Sequence, residues 1–150
     1  MPENREALLD HYLHMRGEML ASIAELSDDM MIDPSIDGWS VKDHLAHLAI
    51  WDDIRASEIV RISAGQESAW RMTPDEDSIF NALFHTVRLK LSLQQVLWEY
   101  ESSLQRVVSA LQAASSRGLD ESLYGESPPR TGHDAQHAGW ILRWRSERGY

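Results

Sequence analysis

The 150-residue chain carries 24 acidic against 14 basic residues, a formal charge of −10, which offers no broad attraction to phosphate backbones or anionic lipid and disfavours nucleic-acid and membrane partners. It has no cysteine, which excludes disulfides, thiolate metal sites and a cysteine nucleophile together, so any metal must be held by His, Asp or Glu. The length suits one domain over 1–150; the charged start "MPENREALLDHY" and the lack of any run near the roughly 18 apolar residues of a membrane span point to a soluble, cytoplasmic protein.

From residue 3 to about 27, Leu9, Tyr12, Leu13, Met19, Leu20, Ile23 and Leu26 recur at spacings of three and four, which predicts a first amphipathic helix. Asp28 to Gly38, with Pro34, reads as a break. Ser40 followed by Asp43 resembles a capping box and opens a second helix over 40–64. Thr73, Pro74 and Glu76 start a short helix over 74–87, read as part of a long crossover. Ser92 and Gln95 open a helix over 92–116 with Leu93, Val96, Leu97, Tyr100, Leu104, Val107, Val108 and Leu111 at near-heptad spacing. Thr131 and Asp134 repeat the cap pattern before a last helix over 131–148, whose end carries Arg143, Arg145 and Arg148. With no sustained period-two alternation, the fold class is all-α: a four-helix bundle with a long crossover between the second and third long helices.

In "RTGHDAQHAGWILRW", His133, His137, Trp140, Ile141 and Trp144 fall in one sector of a helical wheel. Imidazoles in an inward stripe must find hydrogen-bond partners or a metal, and two rings four apart on a helix can share one ion. The residues alone leave both readings open. In the second helix, periodicity places His44 nearer the middle of the apolar arc and His47 at its edge.

The two stretches "GWSVKDHLAHLAIWDD" and "TGHDAQHAGWILRW" together resemble the DinB/YfiT-like superfamily of bacterial metal-binding four-helix bundles, over nearly the whole chain. In that family a Trp-Ser/Thr opening of the second helix is followed eight residues after the Trp by a ligand His, and the last helix supplies a His-x-x-x-His pair. The resemblance therefore implies His47, His133 and His137 as ligands to one divalent ion, with zinc or nickel ahead of iron. It also implies homodimers formed through helix faces. Asp43, one turn before His47, has a capping role and a possible ligand-orienting role. Trp51, Trp140 and Trp144 are candidates for the apolar wall of a pocket; His11, His14 and His85 have no motif around them.

Three neutral imidazoles leave coordination positions open, as catalytic sites require. The resemblance points first to a transferase that uses a low-molecular-weight thiol against a small electrophilic substrate in detoxification or stress, second to a hydrolase using bound water, and third to a non-catalytic metal-binding stress protein. No general base is identifiable by spacing, and a fold does not settle chemistry.

Overall fold

The computed structural model describes residues 3–150, and they form six α-helices: α1 (Arg5–Ile23), α2 (Asp28–Ile32), α3 (Val41–Ser63), α4 (Pro74–Arg88), α5 (Leu93–Ala113) and α6 (His133–Arg148). Among the described residues there is no strand, and no helix is long and apolar enough to cross a membrane. The predicted capping boxes at Ser40/Asp43, Thr73/Glu76 and Ser92/Gln95 are all formed, each side chain meeting the other's backbone N–H. The expected break after α1 contains the short helix α2, capped by Ser27.

The start of α6 differs from its expected cap. Its N-cap is Gly132, without a side-chain bond; Thr131 Oγ1 accepts from the His133 N–H at 3.1 Å. Asp134 instead points inward, where Tyr100 and Arg16 compete successfully for its carboxylate. At the other end of α6, Arg145 Nη1 donates to the carbonyls of Ser22 and Ala24, both at 2.9 Å, satisfying orphan acceptors where α1 stops.

Helix α3 lies along α5 and α1 along α6, while contacts α1–α5 and α3–α6 join the two pairs. Two apolar clusters fill the interior. One gathers Met19, Leu45, Leu48, Val96, Ile141 and Trp144; the other gathers Leu8, Ile59, Ile62, Val107 and Leu111. The inward face of α1 is Leu8, Tyr12, Arg16, Met19 and Ser22, whereas Leu13 and Leu20, expected inside, are each 51% exposed. Helix α4 rests Phe80 and Phe84 on Ile50, Trp51 and Ile54 of α3 and buries no residue completely.

Between the apolar clusters, across the middle of α1 and α3 and the first turn of α6, runs a buried layer of charge. Asp52 accepts from Tyr12 Oη at 2.6 Å, from Arg55 Nη1 at 3.2 Å and from Arg16 Nη2. Arg16 reaches on to Asp134 at 3.3 Å and to the Tyr100 carbonyl at 2.7 Å, with its guanidinium 3.6 Å from the Tyr100 ring centre. Two arginines face two aspartates, so every buried charge has a counter-charge, the condition under which buried ions are tolerated.

Candidate metal centre

Asp52 lies one turn and a half beyond His47 on α3, and Asp134 is next to His133 on α6; the arginine between them therefore fixes the first turn of α6 against the middle of α3. That registration brings the histidines together. His47 Nε2 and His133 Nε2 are 3.0 Å apart, and the ring centres of His47, His133 and His137 form a near-equilateral triangle with sides of 4.8, 4.8 and 5.0 Å. One nitrogen from each ring lies within 4.8 Å of the other two. An ion about 2.0–2.1 Å from each ligand nitrogen has neighbouring nitrogens roughly 3.0–3.4 Å apart, so the His47–His133 edge already has the required length. His137 is buried and the other two are half-buried.

His44, the alternative to His47 on the helical wheel, is a fourth member of the cluster. Its Nδ1 is 2.6 Å from His137 Nδ1, which leaves Nε2 of His137 as the nitrogen free to face His47 and His133. Asp43 caps α3 through Ser40 and approaches His85 at 3.5 Å, and makes no hydrogen bond to His47. Of the histidines without a motif, His11 donates to the Thr131 carbonyl at 2.6 Å, His14 pairs with Glu18 on the surface, and His85 stacks on Trp39 at 4.6 Å.

A cleft of about 660 Å³ opens over the rings, walled by Trp39, Trp140 and Trp144. Trp39 is placed by a two-residue turn in which Asp37 and Gly38 both have positive φ, 51° and 88°, the conformation that an Asp-Gly pair favours. Its indole then packs edgewise on His44 and His47 at 5.2 and 5.5 Å. Trp140, 45% exposed, is the accessible wall. On the other side of His47 and His133 lies a polar hollow of about 440 Å³ that reaches Arg55, Asp77 and Glu126. Trp51 borders this hollow and not the aromatic cleft, and it donates to Asn81 Oδ1 at 2.9 Å. Asn81 and Gln136 border both spaces; neither carried a motif or a periodic position in the sequence.

Burial drives the imidazoles towards the neutral state. It holds His44 and His47 down to about 4 and His133 to about 3, and pushes His137 lower still, with repulsion from neighbouring rings adding to the effect. Metal ligands must be deprotonated, and these rings meet that condition well below neutral pH. Because unfolded histidine takes up its proton near 6.5, the unfolded chain holds more protons than the folded one between pH 6.5 and about 4. Stability therefore falls as pH drops through that window. Asp52, pushed up to about 6 by burial, works in the opposite sense, but one carboxyl does not outweigh four rings. Urea unfolding of the metal-free protein should show a loss of at least about 2 kcal/mol between pH 7.5 and pH 5, one ring's share at about 1.4 kcal/mol per pH unit; equal stability at the two values would rule out buried neutral rings.

No family model matches the chain, and no curated protein does. One solved fold does. The crystal structure of an uncharacterised protein from Escherichia coli UTI89 matches with a TM-score of 0.77 over 99% of this chain and 96% of that chain, at 13% identity. At that identity the likeness extends to the helical fold and assigns no chemistry.

Proposed function

We propose that this chain is a DinB/YfiT-like protein in which α1, α3, α5 and α6 form the four-helix bundle and α4 lies on the long crossover between α3 and α5. His47, His133 and His137 hold one divalent ion, zinc or nickel ahead of iron. The single observation that carries this reading is the convergence of three neutral imidazoles from two helices at the floor of an open cleft. Carboxylates and thiolates are absent from the triad, so its donor set is that of an imidazole-loving metal with positions left open. A divalent ion bound there would supply Lewis acidity, which lowers the pKa of a coordinated thiol or water.

The reaction we favour is transfer of a low-molecular-weight thiol to a small electrophile, in detoxification or stress. The tryptophan walls exclude water and receive the apolar part of the substrate, while Asn81 and Gln136 offer hydrogen bonds at the junction of the two spaces. A second reading, hydrolysis, is favoured by the presence of two carboxylates, Asp77 and Glu126, in the polar hollow that His47 and His133 also line. Assaying zinc- and nickel-loaded protein with a panel of bacterial thiols, a generic electrophile and a set of ester and amide substrates separates the two. Thiol-dependent consumption of the electrophile is the expected result; turnover of esters without thiol selects hydrolysis, and neither activity points to a non-catalytic metal-binding protein. Pairing of two copies through helix faces belongs to the same proposal, and a monomer by light scattering would remove that part alone.

A further inference from the structure

We propose that His44 is a positioning residue for the metal centre: its Nδ1 accepts a hydrogen bond from Nδ1–H of His137 and so reserves the Nε2 lone pair of His137 for the ion. This rests on the reading of His47, His133 and His137 as ligands. The two Nδ1 atoms are 2.6 Å apart, so a single proton lies between them. Were it on His44, a neutral His137 would carry its own proton on Nε2 and have no lone pair there for the ion. Only the arrangement with the proton on His137 Nδ1 makes all three rings ligands through Nε2.

The surroundings of His44 explain its presence in no other way. Its ring is 95% buried, packed 5.2 Å from Trp39 and 6.1 Å from Trp140, and it cannot swing out without opening that packing. Its Nε2 meets no hydrogen-bond partner among the described residues. Buried polar atoms nearly always find partners, and an apolar side chain of similar shape would fill the same space without an unsatisfied nitrogen. The bond to His137 is what the imidazole adds. Ligand histidines commonly use a carboxylate or a carbonyl for this purpose; the neighbouring carboxylate, Asp43, is committed to the α3 cap. A neutral imidazole acceptor enriches His137 less than a carboxylate does, which leaves the bound ion the stronger Lewis acid.

The test is titration of zinc into the metal-free full-length protein, comparing wild type with His44→Phe and His44→Asn, alongside imidazole ¹H–¹⁵N spectra and circular dichroism. Phe keeps a ring and removes the acceptor; Asn restores an oxygen close to the position of Nδ1. We expect His44→Phe to bind zinc about 10–100-fold more weakly, His44→Asn to recover most of that loss, and both to keep wild-type helicity. Spectra of the zinc-loaded wild type should show His137 protonated at Nδ1 and His44 at Nε2. Unchanged affinity in His44→Phe, no recovery in His44→Asn, or a proton on His44 Nδ1 overturns the positioning role while leaving the triad standing. A wild-type protein that binds no zinc overturns the triad and this role together.

Discussion

Replacing Arg16 by Met is expected to lower the unfolding free energy by about 3–5 kcal/mol, the typical cost of stranding buried charge by removing one partner. Arg16 is 3% exposed and, among the described residues, is the one guanidinium that touches both Asp52 and Asp134. Without it Asp134 keeps only Tyr100 Oη, and a carboxylate from α6 loses its link to α3. With about 2–4 °C of thermal midpoint per kcal/mol for a chain of this size, melting should fall by at least roughly 6 °C. Zinc affinity should fall with it, because the same bond registers His133 against His47. Adding Asp134→Asn to Arg16→Met should recover part of the stability, since it neutralises the carboxylate the variant strands while Asp52 keeps Arg55 as its partner. A single variant that melts within about 2 °C of the parent would show that the charged layer does not hold the helices in register.

The charged layer was the least legible part of the chain, although the signal was present. Leu8, Tyr12, Arg16 and Met19 recur at four, four and three residues, an amphipathic stripe in every respect except that one member is an arginine. Reading for apolar residues alone rotates the face of α1 towards Leu13 and Leu20, which the structure exposes. The same habit hides Asp52 and Arg55, both buried in α3: they pair with each other three residues apart, but Tyr12 and Arg16, which complete the layer, lie on α1, where local spacing has no access. Helix starts were legible because a capping box is a contact between residues three apart. Thr131 and Asp134 show the limit of that logic, since a local cap loses to a tertiary salt bridge when Arg16 is within reach. At the site, the His133/His137 spacing was informative because both rings sit on one helix. Choosing between His44 and His47 required the partner helix: in the structure His44 meets His137 and His47 meets His133.

Replacing His137 by Ala is expected to remove stoichiometric zinc binding, with a loss larger than the roughly 10–100-fold that follows from losing a partner of a ligand. Helical content should be largely retained, because Ala is the best helix former and none of the three rings belongs to the apolar clusters that pack α1, α3, α5 and α6. His133→Ala should behave alike. His14→Ala, on the surface beside Glu18, should bind as wild type does and serves as the control for non-specific histidine binding. Retention of one tightly bound zinc by His137→Ala would move the site elsewhere in the chain.

X-ray absorption of the wild-type protein loaded with one equivalent of zinc tests the triad most directly, because it reads the ligands themselves. Three imidazole nitrogens at about 2.0–2.1 Å, completed by at least one lighter oxygen or nitrogen ligand from solvent, is the predicted shell. A shell with fewer than two imidazoles, or zinc that is lost on dialysis before the measurement, would contradict the metal centre and return His47, His133 and His137 to the role of packed, hydrogen-bonded core histidines.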